Sequence, residues 1–131
     1  MSGTRSADDS SVLVERTAGL TAVLGLFIMA STIVFTISGT MGIHNVLVGA
    51  VTVILASAHA YRTGEMRSPS IVIAAILALI GIWIAASPFV FGIDRSLVVG
   101  INGISGAIIA ILSLVGAYGS VQTSNATATS A

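Results

Sequence analysis

Gly81-Ile-Trp-Ile-Ala-Ala-Ser-Pro-Phe-Val-Phe-Gly92 decides how this chain is read. It closes a long apolar run without a single charged residue. Inside that run, Ser87-Pro88-Phe89 places a residue that removes a helix N–H. An outline of the same stretch occurs upstream, as Gly25-Leu-Phe-Ile-Met-Ala-Ser31. A charge-free run with its own echo implies a duplicated element that lives in lipid.

Composition points the same way. Of the 131 residues, 55% are hydrophobic and 8% are charged. Soluble domains carry about 25% charged residues. A chain with a third of that share cannot cover a water-facing surface, so an integral membrane protein is expected. The formal net charge is zero, with no Lys and five scattered Arg. Nothing here is basic enough to neutralise a phosphate backbone, and no nucleic-acid partner is expected. Cys is absent, which removes disulfides, thiolate nucleophiles and Cys-ligated metals.

Four apolar runs follow one another, at 18–37, 43–61, 71–91 and 97–118. Each has roughly 20 residues, the length a helix needs to cross a ~30 Å hydrocarbon core. None contains Asp, Glu, Lys or Arg. The runs are continuous rather than alternating, which argues against barrel strands. The first is not read as a cleaved leader. Asp8, Asp9 and Glu15 precede it where a positive region is expected, and it matches a later internal segment. The expected organisation is a polar tail over 1–16, a transmembrane hairpin over 17–62, a cytoplasmic linker over 63–70, a second hairpin over 71–118 and a disordered tail over 119–131. Pro69, at the end of the linker, suits a helix start. Arg5, Arg16, Arg62 and Arg67 flank one side, and Arg95, beside Asp94, the other. The positive-inside rule then puts both termini in the cytoplasm of a multi-pass cell-membrane protein. Asp94 and Arg95 are expected to form a local solvated pair.

The internal repeat is specific. At an offset of 56, Gly25 falls on Gly81, Phe27 on Trp83, Ser31 on Ser87 and Phe35 on Phe91. One more residue of offset in the turn puts Asn45 on Asn102, Gly49 on Gly106, Ala60 on Ala117 and Tyr61 on Tyr118. Two helices per unit give both units one orientation, as in parallel repeats. The expected fold is all-α: four transmembrane helices as two tandem hairpins, with pseudo-twofold symmetry along the membrane normal.

A duplicated hairpin with Ser87-Pro88-Phe89 near the end of its first helix, then Asn102 and Gly106 in its second, resembles the SPW repeat family of small membrane proteins. That family's unit ends its first helix in Ser-Pro-Trp. This chain departs at Phe89, and its first unit keeps Ser31 and Asn45 but has Thr32 and Ile33 in place of Pro and Trp. The resemblance covers nearly everything outside the tails. It implies a membrane fold and carries no activity.

The residues singled out have structural readings first. Pro88 frees the carbonyl of Ile84, which in lipid needs another donor. Ser87 or Asn102 is expected to supply it, with Asn45 and Asn102 pinning the turns. Trp83 is expected to face the bundle so that its N–H finds a partner. Gly49 and Ala56 on the second helix and Gly106 and Ser113 on the fourth are expected to pack those two helices together. Gly103, Ala107 and Ala110 extend that packing face on the fourth helix, and the alternative, compatible with it, is that the same faces dock another subunit. His44 and His59 lie about 22 Å apart along one helix, too far to share a metal. Tyr61 and Tyr118 are expected as interfacial anchors.

No catalytic pair, metal cluster or cofactor motif is present, so no enzyme activity, metal or cofactor is expected. The leading expectation is a non-catalytic scaffold or accessory subunit. Its partners would be the lipid bilayer and other membrane subunits or further copies of itself. The alternative is a small transporter or channel using a Pro-broken third helix.

Overall fold

A computed structural model of the chain describes residues 2–64 and 70–130. They form four helices: α1 (Ser2–Val34), α2 (Gly39–Gly64), α3 (Ile71–Val90) and α4 (Ser96–Ser130). All four are long and apolar enough to cross a membrane. The shortest, α3, has 20 residues, about 30 Å at 1.5 Å per residue. Only about a third of each span is buried inside the molecule. The rest is mostly apolar and outward, as in Val23, Ile33, Ile54, Leu79 and Ile111. Such a surface suits acyl chains.

Consecutive helices pack as hairpins, α1 on α2 and α3 on α4. The hairpins join mainly through α1 and α4, with a lighter contact between α2 and α3. Ile28, Ile84 and Ile109 form the central apolar layer, with Leu24, Val48 and Ile80 against it. A second layer, of Ile37, Met41 and Val98, sits where the hairpin turns meet.

Both hairpins turn in the same way. In the first, Ile37 N donates to Thr32 O at 2.9 Å and Thr36 N to Ile33 O at 3.4 Å. In the second, Ile93 N donates to Pro88 O at 2.7 Å and Gly92 N to Phe89 O at 3.3 Å. This is the Schellman ending, which satisfies the last carbonyls of a helix and needs a left-handed residue just beyond it. Gly92 takes that conformation with φ +66°, and Thr36 takes it with φ +53°. At the start of α3, the Ser70 side chain accepts from Ile73 N at 3.2 Å, an N-cap. Pro69, expected to start this helix, lies outside the described residues, as do 65–68.

Three boundaries differ from the sequence reading. Neither expected tail is a coil: α1 begins at Ser2 and α4 continues to Ser130. The cause is tertiary. The α1–α4 contact outlasts the apolar runs, with fully buried Val14 seated against Gly119. Neither of the two prolines falls in these segments. Likewise α2 includes Thr63, which is buried, and Gly64, so residues 63 and 64 belong to the helix rather than to the linker.

Candidate functional site: a polar chain at the turn end of the bundle

Asn45 and Asn102 are completely buried and face each other from α2 and α4. Asn45 Nδ2 donates to Asn102 Oδ1 at 3.0 Å, and Asn102 Nδ2 returns the bond to Asn45 Oδ1 at 2.9 Å. The second hydrogen of Asn102 Nδ2 points to Ser87 Oγ at 3.2 Å, with Ile84 O at 3.5 Å. Ser87 Oγ in turn donates to Ile84 O at 2.7 Å. The carbonyl that Pro88 deprives of its helical donor is therefore satisfied, by the two residues expected to do so. The first unit repeats the arrangement, with Ser31 Oγ donating to Ile28 O at 2.6 Å.

The chain of bonds extends outward through His44. Its Nδ1 lies 3.0 Å from Asn45 Oδ1, and Trp83 Nε1 lies 2.8 Å from its Nε2. An indole nitrogen only donates, so Nε2 accepts. Nδ1 then carries the proton and donates to Asn45. The whole sequence is Trp83 to His44 to Asn45, paired with Asn102, and on to Ser87 and the Ile84 carbonyl. Phe91 completes an edge-on aromatic trio, its ring centroid 5.1 Å from that of His44 and 6.3 Å from that of Trp83. Every link is neutral, and the arrangement holds α2, α3 and α4 in one register. In a low-dielectric setting such a network strengthens itself when every member is paired.

Close backbone contact sets the hairpins beneath this network. A Cβ on Gly49 would lie 2.8 Å from Gly25 O, and one on Gly25 would lie 3.0 Å from Gly49 O. In the second hairpin, a Cβ on Gly106 would lie 2.5 Å from both Gly81 O and Ala85 N, and one on Gly81 2.8 Å from Gly106 O. Equivalent glycines meet in both units, so the sequence repeat is also a repeat of contacts. The sequence profile of the SPW repeat domain matches residues 15–116, which include both hairpins' turns and all of these glycines. The chain belongs to the SPW repeat family. No curated protein and no solved structure matches it.

Placed in the two SPW units, the expected residues divide into those the fold gathers and those it does not. Ser87, Asn45 and Asn102 are gathered as expected. Pro88 is fully buried in the last turn of α3, and the helix continues to Val90. The third helix is therefore not broken, because the Schellman ending and the Ser87 hydroxyl take up the consequences of the missing N–H. Phe89 is 70% exposed and points away from the network. Trp83 does not face the interior: it is 41% exposed on the α2–α3 side, and its N–H finds His44 there.

The small residues also act differently from the expectation. Gly49 and Gly106 do not join α2 to α4; each packs within its own SPW hairpin. Ala110 adjoins Gly81 on α3. Ala56 and Ser113 are buried. Nothing lies within 4 Å of a Cβ built on Gly103, and Ala107 is exposed, so these two line the outside of α4.

Two contacts had no sequence signal. His44 and Trp83 are 39 residues apart and on different helices. Arg95 does not hold Asp94: its guanidinium donates to Phe35 O at 2.8 Å and Thr36 O at 3.2 Å, at the end of α1. There it also faces the negative end of the helix dipole. At the opposite end of the bundle, Tyr61 and Tyr118 are exposed at matching positions, as interfacial anchors are. His59, by contrast, is buried.

Proposed function

We propose that this SPW repeat protein is a non-catalytic scaffold or accessory subunit that docks against another membrane polypeptide or a second copy of itself. The carrying observation is the outer face of α4. Gly100, Gly103 and Ala107 are spaced at helical intervals along it. Cβ atoms built on the two glycines would meet nothing within 4 Å. In lipid, helices associate where small residues let backbones come close. The paired glycines of the interior already use that principle; the outer face of α4 offers it again, unoccupied by this chain. Beside it lies an apolar groove of about 350 Å³, lined by Phe27, Leu97, Gly100, Ile101 and Ile104. The fully paired polar chain supports the same reading, since its groups bond to one another rather than to a solute. The Arg distribution supports a cell-membrane orientation with both termini cytoplasmic.

The test is extraction in a mild, lipid-preserving detergent followed by native mass analysis, for the natural protein and for Gly103→Leu. The expected result is a stoichiometric complex with the natural chain that dissociates in the variant, while the variant keeps its helical content. A natural chain that travels alone as a monomer, unchanged by Gly103→Leu, overturns the proposal.

A further inference from the structure

The two units also differ near the end that carries the termini, and four of the polar differences there converge. Thr17 and Thr21 on α1 stand where α3 has Ile73 and Leu77. His59 on α2 stands where α4 has Gly116, and Ser113 on α4 stands where α2 has Ala56. All four polar residues line one cavity of about 10 Å³ between the helices.

Two of them are incompletely bonded. His59 is 2% exposed and Ser113 4%. Among the described residues, His59 Nε2 and Ser113 Oγ are the buried side-chain atoms without a hydrogen-bond partner. The Ser113 hydroxyl is unusual in this molecule. Those of Thr17, Thr21, Ser31, Thr52, Ser87 and Ser120 each donate to a carbonyl three or four residues back. Ser113 does not, although it sits in the same kind of helix. Leaving such groups unpaired away from water is costly.

We infer that this cavity is a binding site for one water molecule, held by His59 Nε2, Ser113 Oγ and the hydroxyl oxygens of Thr17 and Thr21. The volume matches a single water, and a buried water takes two to four polar partners. The hydrogen-bond roles also balance. Thr17 and Thr21 have already donated their protons to backbone carbonyls, so their oxygens offer only lone pairs. The water donates its two hydrogens to the oxygens of Thr17 and Thr21, and accepts from His59 Nε2–H and from the Ser113 hydroxyl. It joins α1, α2 and α4 at this end, as the direct amide pair joins α2 and α4 at the other.

The experiment is solid-state NMR of the full chain in bilayers with ¹⁵N-labelled histidine. The sequence has two histidines, and His44→Gln assigns their signals. Proton magnetisation is selected on water and its transfer to the ring nitrogens of His59 is followed. Transfer at short mixing times is expected in the natural protein and is lost in Gly116→Ala. A Cβ there would meet Thr17 Oγ1 at 3.4 Å, ordinary contact, so it fills the cavity without a clash. Ser113→Ala, which removes one hydroxyl and adds no volume, is expected to weaken the transfer as well. Absence of transfer in the natural protein overturns the inference whatever the variants do. Transfer that persists in Gly116→Ala and is untouched by Ser113→Ala overturns it too, because the water would then reach His59 from elsewhere.

Discussion

The side-chain amides of Asn45 and Asn102, 57 residues apart in sequence, donate to each other at 3.0 and 2.9 Å across the buried centre of the bundle. Each residue occupies the position of the other in its own repeat unit. Replacing one by Leu leaves a buried amide without its partner, at a cost of about 1–3 kcal/mol. Asn45→Leu and Asn102→Leu together should cost less than the sum of the two. The coupling is expected near 1 kcal/mol, within the range found for interhelical bonds in membranes. Reversible unfolding in bicelles, run as a double-mutant cycle, measures it; strictly additive costs would show that the pair contributes no interaction of its own.

The glycines divide by what surrounds them, and substitution by Ala should divide the same way. Gly106→Ala and Gly81→Ala drive a methyl group into backbone atoms of the neighbouring helix. Overpacking of this kind costs about 1–3 kcal/mol. Gly103→Ala meets nothing and removes a helix-interior glycine, so it should raise stability of the isolated chain by up to about 1 kcal/mol. Equal effects at Gly103 and Gly106 would contradict the packing described above.

Thr36 occupies a left-handed backbone conformation that its counterpart, Gly92, adopts without a side-chain penalty. That conformation costs a residue with a Cβ about 1–2 kcal/mol. Thr36→Gly is therefore expected to stabilise the first hairpin, by less than that full amount because glycine is freer when unfolded. Gly92→Thr should destabilise the second. Thermal unfolding of the two variants against the natural chain gives the signs directly.

Trp83 is the single tryptophan, so its indole N–H gives one identifiable proton signal. Bonded to His44 at 2.8 Å, that proton should resonate downfield. His44→Ala should move it upfield and blue-shift the Trp83 emission, while leaving the helical content unchanged. An indole signal indifferent to His44 would show that the outer half of the polar chain does not form in the membrane.

The membrane spans, the hairpin repeat and the two candidate donors to the Ile84 carbonyl, Ser87 and Asn102, could be read from the sequence because each leaves a local mark. Apolar run length encodes a span, and matched Ser, Asn and Gly at one offset encode the repeat. Proline at position 88 announces a carbonyl in need of a donor. Helix ends left no such mark. The first and last helices extend because Val14 meets Gly119, a contact between distant segments that polar composition concealed. Small residues were visible, but their partners were not: Gly49 and Gly106 suit any close helix contact, and only the fold assigns them to their own hairpins. Trp83 was expected to face inward because its N–H needs a partner, and the histidine that answers the need from the outer side lies on another helix.

The Arg95 bonds to Phe35 and Thr36 have a consequence for how the protein is made. The Phe35 and Thr36 carbonyls, just past the end of the first helix, receive their guanidinium from a residue that leaves the ribosome 60 and 59 positions later. Until the second hairpin has been synthesised and laid beside the first, those two turn carbonyls lack this donor. The turn of the first hairpin thus gains its last two hydrogen bonds only when the turn of the second arrives.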